Sequence, residues 1–400
     1  MYKLAYTVRY FLLRLPLDFS FFLGNFLGFL FYFNFHRRRT AFKNVKMAFP
    51  TKSSREALDI VRRSSYSLGL SITECLIAPR IYKYITIKGE ENIDDNGGIF
   101  VGIHSGNWEV VISAFAQKHK MAVFANPQKN KGLDGFLNEL RRQGDVRVCL
   151  TVKELISCLK DNYLVGVVID HGAEKDALMV DFFSHSVPTP KGAVYLAKKF
   201  NKPIYTNFSF RTGRFSHRSQ IGKPIYPEGK EESQILRQLN AIYENYLTEN
   251  PWEYFWYYKR FKYKKDRDVI VLSDKRLGHL KQALSLVKLL SKKGYELRVK
   301  TIEVNYRNRF SRIFADILAF FSPRGFLFSS RMLSWLVDKK TFNQLDKMHA
   351  DIVVSAGSFM APVNYLVSSY SGAKSAVVLR PNISLRKFDL VIVPEHDRVH

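Results

Sequence analysis

Residues 97–111, GGIFVGIHSGNWEVV, decide the reading of the fold. An apolar run, Ile99 to Ile103, ends at His104. Ser105, Gly106 and Asn107 form a small-residue turn, and an apolar segment carrying Glu109 follows. A short apolar run bounded by glycines and a polar turn predicts a buried strand, and the segment behind it predicts a helix. Such a strand–turn–helix unit belongs to α/β folds, which build their sites at the carboxyl ends of strands. His104 stands at one of these ends.

The alternation continues on both sides. Residues 121–125, 146–150, 164–169 and 203–210 read as strands, and 134–142, 151–161, 191–200 and 231–249 as helices with apolar spacing of three or four. After Lys264-Lys265-Asp266-Arg267-Asp268, a short charged join, the style repeats. DVIVLSD (268–274), ELRVKTIEV (296–304), DIVVSAG (351–357), AKSAVVL (373–379) and FDLVIVPE (388–395) are strands of a doubly wound sheet, and 277–294 is a helix. The expected organisation is an N-terminal membrane-associated helix (1–36), an α/β domain (37–265) and a Rossmann-like α/β lobe (266–400). The last ends just after a strand, as an incomplete fold would.

The chain has 400 residues, 46% of them hydrophobic and 24% charged, which excludes a disordered or fibrous protein. Its net charge of +26 favours an anionic partner. The basic residues are dispersed and no nucleic-acid module appears, so an anionic membrane surface is expected rather than nucleic acid. Residues 17–35, LDFSFFLGNFLGFLFYFNF, form an aromatic apolar run with one charge, Asp18. Its length is close to the ~20 residues that cross a hydrocarbon core. Arg37, Arg38 and Arg39 follow where a signal peptide would carry a cleavage site, so the run reads as an uncleaved anchor. Basic residues lie on both sides of it, and a helix lying in the cytoplasmic interface explains that double flank at least as well as a crossing one. The three cysteines, Cys75, Cys149 and Cys158, have no metal-ligand spacing, which fits a reducing compartment and predicts no metal. No P-loop, G-x-G-x-x-G or G-x-S-x-G occurs, so neither a cofactor nor a covalent serine route is expected.

The chemistry centres on His104 and Glu109. On an unbroken helix this spacing sets the two about 140° apart. They meet only if His104 precedes the helix and Glu109 lies in its first turn, with Ser105 or Asn107 as cap. In that arrangement His104 is a general base and Glu109 orients its ring and stabilises the imidazolium. A second match to the spacing, His171 to Asp176, is present, so the flanking strand, turn and helix are what favour the first.

HSGNWE (104–109) resembles the signature of the late acyltransferases of lipid A biosynthesis, of the lauroyl/myristoyl type, within the lysophospholipid-acyltransferase-like group. RRRTAFKNVKMAFP (37–50), NPQKNKGLDGFLNELRRQG (126–144), residues 167–199 and NPWEYFWYYKRFK (250–262) resemble further blocks of that family in the same order, over residues 1–265. The family usually has glutamine where His171 stands and histidine where Tyr258 stands. The resemblance implies a transferase of lipopolysaccharide biosynthesis at the cytoplasmic face of the cell inner membrane. It would move an acyl chain from an acyl carrier protein thioester to a hydroxyl of a lipid A precursor, the membrane lipid acceptor. Substrate-binding roles would fall to Asn107, to Arg141 or Arg142 against phosphate or the acidic carrier protein, and to Asp170, Lys191 and Gly192. Asp170 would orient the site or cap a turn. Gly192 would admit substrate or pack tightly. Trp252, Phe255, Trp256 and Tyr257 would pack a core or rim. Residues 268–397 resemble the first half of the mitochondrial-fission ELM-type family, whose architecture is GT-B-like. That leaves two alternatives: a nucleotide-sugar-dependent glycosyltransferase of envelope glycolipid, and a non-catalytic membrane scaffold.

Overall fold

The computed structural model of the chain describes residues 2–125, 130–171, 177–292, 294–323 and 329–395. It divides into two compact units: Met1–Arg38 with Ile60–Tyr263, and Arg39–Asp59 with Lys264–His400.

The first unit is built on nine strands: β1 (Ile85–Lys88), β2 (Gly98–Gly102), β3 (Met121–Phe124), β4 (Arg147–Cys149), β5 (Leu164–Val168), β6 (Ala177–Phe182), β7 (His185–Pro190), β8 (Ile204–Arg211) and β9 (His217–Ile221). Seven of them form a sheet in the order β1-β9-β8-β2-β5-β3-β4. Its neighbours run parallel except for the antiparallel β8–β9 pair. β2 lies inside this sheet between β8 and β5. Its first four residues are buried, as expected of a strand covered on both faces. Phe100, Phe115, Met121, Val146, Leu164 and Tyr205 fill one of the layers beside it. β6 and β7 form a separate antiparallel hairpin. The sequence reading missed it because Asp181, His185, Pro188 and Pro190 interrupt the apolar alternation.

The apolar run at 17–35 forms the helix Leu17–Phe33, entered after Pro16. Among the described residues no helix is long and apolar enough to cross a membrane. This helix is fastened to the unit instead of standing free as a 1–36 segment. Ser20, Gly24 and Gly28 are buried on one face. A Cβ on Gly69, in the helix Ser54–Leu76, would come within 2.3 Å of Gly24 O and Gly28 N. The two backbones therefore touch at three glycines. The opposite face carries Phe19, Phe22, Phe26, Phe29, Leu30 and Phe33, each between 44% and 69% exposed.

The second unit has five parallel strands, β10 (Asp266–Ser273), β11 (Glu296–Glu303), β12 (Ile352–Ala356), β13 (Lys374–Val378) and β14 (Leu390–Ile392), in the order β11-β10-β12-β13-β14. This is a doubly wound sheet, with Val269, Val271, Leu286, Val287 and Val354 in its core. The charged stretch read as a join is part of this body. Lys264 is buried, and its Nζ lies 3.0 Å from Asp266 and 2.5 Å from Asp351. Residues 39–59, read from sequence as part of the first block, also belong to this unit. Lys46 Nζ donates to Asp346 O at 2.7 Å and to Pro50 O at 3.2 Å. Lys43 Nζ lies 3.2 Å from Asp351. Burial of Lys46, only partly opposed by Asp346 and Glu56, brings its pKa down to about 8.

Candidate active site

The parallel register of β2 and β5 sets Gly102 opposite Val168. Two residues further along each strand stand His104 and Asp170, so the ladder itself brings them face to face. His104 Nδ1 lies 2.8 Å from Asp170 Oδ1, and the His104 backbone N–H donates to Oδ2 at 2.9 Å. Asp170 is 3% exposed. Burial pushes its carboxyl up, but the charge and hydrogen bonds of His104, with help from Arg260, outweigh burial and hold it at about 2. The converse holds for His104. Burial pulls its pKa down, while Asp170 and then Glu109 raise it above the ordinary value by more. Nε2 makes no hydrogen bond to any described residue, and the ring keeps 23% of its surface open.

The turn that follows is clamped on both sides. Gly106 has φ +54°, and a Cβ there would lie 2.5 Å from Ser209 O on β8, so glycine is required twice over. Its N–H donates to Glu253 O at 2.8 Å, and Ser209 Oγ donates to Ser105 O at 2.6 Å. Asn107 caps the helix Trp108–Ala116, accepting from the Val110 N–H. Its Nδ2 donates to Glu74 at 2.9 Å, and the residue is buried. Asn107 is therefore a support of the turn, which corrects its expected substrate-binding role.

Glu109 does not orient the histidine. No hydrogen bond joins it to His104 among the described residues. Arg141 grips it in a two-pronged pair, with Nη2 at 2.5 Å from Oε1 and Nε at 2.9 Å from Oε2. Trp108 Nε1 adds a third contact at 3.2 Å. The H-x4-E spacing brings both side chains to the same turn, but the nearer carboxylate comes from the adjacent strand. Glu109 and Arg141 also border a water-sized cavity of about 30 Å³ with Cys75, Tyr82, Ser113 and Leu140. Arg142 points away from the pair, 4.0 Å from Glu139 on an exposed face. Lys191 precedes the helix Gly192–Phe200 and has no hydrogen bond or ion pair to His104, Glu109 or Asp170. A Cβ on Gly192 would meet nothing within 4 Å, so tight packing does not explain that glycine. In the alternative pair, His171 has its pKa lowered, chiefly by burial, and Asp176 lies outside the described residues, as do 126–129 of the second block.

Two supports were not anticipated. Residues 254–258 close over the histidine: the Phe255 N–H donates to His104 O at 3.0 Å, and the Tyr258 ring stacks on His104 at 6.0 Å. Within that segment Trp256 and Tyr257 are core residues. Beneath the turn, fully buried Glu74 binds His217 Nε2 at 3.0 Å, Arg211 Nη2 at 2.9 Å and Asn107. Burial pushes Glu74 up, but Arg211 and His217 together bring it to about 2. A lone glutamate in the apolar run ITECLI (72–77) was its only trace in the sequence.

Residues 3–263 match the family described as bacterial lipid A biosynthesis acyltransferase. The chain belongs to that family. It is thus an acyltransferase by family, and the resemblance expected over residues 1–265 holds over 3–263. Residues 277–400 match a second family, mitochondrial fission ELM1. The chain is 22% identical over 241 residues to a lipid A biosynthesis palmitoleoyltransferase of Escherichia coli (strain K12), covering 56% of this chain and 79% of that one. It is 22% identical over 242 residues to a lipid A biosynthesis lauroyltransferase of the same organism, with the same coverage. A solved 1-acyl-sn-glycerophosphate acyltransferase from Thermotoga maritima is 17% identical, with a TM-score of 0.30, and the likeness covers 54% of this chain and 94% of that one.

Proposed function

We propose that His104 is the general base of an acyl transfer from an acyl carrier protein thioester to a hydroxyl of a lipid A precursor. The observation that carries this reading is the His104–Asp170 pair, which commits Nδ1 and leaves Nε2 without a partner among the described residues. Asp170 fixes the proton on Nδ1. Nε2 then accepts the proton of the acceptor hydroxyl as its oxygen attacks the thioester carbonyl. Collapse of the tetrahedral intermediate breaks the carbon–sulfur bond, and the imidazolium returns its proton to the leaving thiolate. Proton transfer of this kind is typically worth ~10²–10⁴ in rate. Glu109, held by Arg141, adds negative potential that favours the imidazolium without touching it.

The acceptor and donor are assigned from the family and from the charge. Lipid A precursors carry phosphates and acyl carrier proteins are acidic, and this chain is net +26. The site of action is read as the cytoplasmic face of the inner membrane. The phenylalanine face of Leu17–Phe33, with exposed Arg14 before it and exposed Arg37 after it, is suited to lie in the headgroup region.

The test is an assay of His104→Ala and Glu109→Gln with acyl carrier protein thioester and a lipid A precursor. His104→Ala is expected to abolish transfer, and Glu109→Gln to cost about tenfold, the scale of one supporting interaction. Full transfer by the His104→Ala protein refutes the mechanism. Equal losses in both variants would make Glu109, and not Asp170, the carboxylate on which the base depends.

A further inference from the structure

The helix Arg309–Phe321 of the second unit is amphipathic in the wrong sense for a soluble protein. Its buried residues are small: Ser311, Ala315 and Ala319. They face the helices Ala361–Ser371 and Ser329–Leu336. At about 100° per residue, Phe310, Ile313, Phe314, Ile317, Phe320 and Phe321 fall within a single arc of about 120°. All six are exposed, Phe310 at 82%, Phe321 at 76% and the others at 45% or more. No charged residue interrupts the arc. Trp335, on the neighbouring helix Ser329–Leu336, adds an indole that is 52% exposed. Six large side chains on one stripe exceed the scattered apolar exposure of an ordinary surface, and such a patch marks a binding face.

The rim identifies what covers it. Arg307, Arg309 and Arg331 are exposed, and Arg307 Nη2 donates to Ser334 O at 2.9 Å, tying the start of one helix to the other. Arg309 makes no ion pair among the described residues. An open cleft of about 490 Å³ begins at the same end of the helix, lined by Lys275, Asn305, Tyr306, Arg309 and Arg312 with Asp274. Asp274 is already paired with His279 at 2.8 Å, and Arg312 with Asp316 at 2.6 Å. Residues 266–400 hold 22 Lys and Arg against 12 Asp and Glu, net +10. Apolar and aromatic side chains below a basic collar, with tryptophan at the edge, match a lipid interface in both its layers.

We propose that the second unit has its own membrane-binding face for anionic phospholipid. The six side chains of Arg309–Phe321 insert among acyl chains, and the arginine rim with the cleft receives the headgroup phosphate. This face is independent of the acyl-transfer chemistry and of the phenylalanine face of Leu17–Phe33.

The test uses the full chain with vesicles of phosphatidylcholine alone or with about 30 mol% phosphatidylglycerol, since binding of such a face includes attraction to anionic lipid. A Phe310→Ser/Phe314→Ser/Phe320→Ser variant removes rings that the fold leaves largely open. Its melting and circular dichroism are expected to match the parent. Its partition onto phosphatidylglycerol vesicles is expected to fall by at least ~30-fold, since each inserted ring contributes several-fold. An indole introduced by Phe314→Trp is expected to be quenched by brominated lipid, which reports this face even while Leu17–Phe33 stays bound. Arg309→Gln/Arg331→Gln is expected to weaken binding and flatten its salt dependence. An unquenched indole together with unchanged partition overturns the proposal. So does a dimer in solution that the serine variant dissociates without altering vesicle binding, because the occupant would then be a second copy of the chain. Equal binding to both vesicle types overturns the preference for anionic lipid and with it the role of the arginine rim.

Discussion

Replacing Asp170 by asparagine removes the support of the base while leaving the base in place. The carboxylate holds His104 through its ring at 2.8 Å and its backbone at 2.9 Å. Asp170 sits at about 2 instead of its ordinary 3.8, despite a burial that works the other way. At about 1.4 kcal/mol per pKa unit, that preference for the charged carboxylate is worth about 2 kcal/mol. Much of it reappears as a preference for a charged imidazole, and a charged imidazole is what forms as the hydroxyl loses its proton. Its loss alone predicts a fall of roughly 30-fold, because about 1.4 kcal/mol is tenfold. The amide also lets the ring adopt the other tautomer, with the proton on Nε2, where it cannot accept another. Together the two effects predict a drop in kcat/KM of ~10²–10⁴. The acceptor KM is expected to stay within a few-fold. The sign of the pH effect follows from the raised pKa of His104. The base works when unprotonated, so activity falls on the acid side, and Asp170→Asn moves that acid limb to lower pH. Stability moves oppositely. The depressed pKa of Asp170 stabilises the fold above about pH 4 and is lost as pH falls towards 2. The assay is transfer of labelled acyl chain from carrier-protein thioester to lipid A precursor, with kcat/KM measured between about pH 5 and 9, the range in which histidine titrates. A variant within twofold of the parent, with an unmoved acid limb, would refute the role of Asp170.

Three further outcomes are expected. Gly106→Ala meets both a left-handed φ and a 2.5 Å approach to Ser209 O, and should lower stability by about 2–4 kcal/mol in denaturant melts. Arg211→Met strands buried Glu74, and should cost about 3–5 kcal/mol and reduce soluble yield. In the parent, the Glu74 contribution is present above about pH 4.5 and disappears as pH falls towards 2, so acid melts should converge for the two proteins. Gly69→Leu drives a side chain into the backbone of Leu17–Phe33 and should release that helix, read as new protease cleavage near residues 12–35.

Much of the fold was legible because its strands are short apolar runs ended by small or polar residues. β2 falls within a residue of its expected bounds, and the helix Trp108–Ala116 follows the turn with Glu109 in its first turn as expected. The site was legible only in part. His104 stood out by its place after a strand, but its carboxylate partner is 66 residues away and depends on which strands pair and in what register. A spacing rule along one segment selects Glu109, because local sequence cannot weigh a neighbour on another strand. The length and hydropathy of 17–35 left a crossing and an interfacial helix both open, whereas Gly24 and Gly28, four apart on one face, were the signal for a packed helix. Nothing local in Lys43 or Lys46 names a partner, and only tertiary contacts with Asp351 and the Asp346 carbonyl assign residues 39–59 to the second unit.

The pairing of β2 with β5 has an evolutionary consequence. The chain between them, with two strands and three helices among its described residues, builds the far edge of the sheet and returns. That excursion can lengthen, shorten or be recruited to new recognition tasks while the ladder still delivers one imidazole and one carboxylate to the same spot. A slip of a single rung would shift the two apart by roughly 3.3 Å, the rise of one strand residue, and end the partnership at once. Diversity among relatives should therefore gather in the excursion, and constancy in the few backbone bonds that count the rungs.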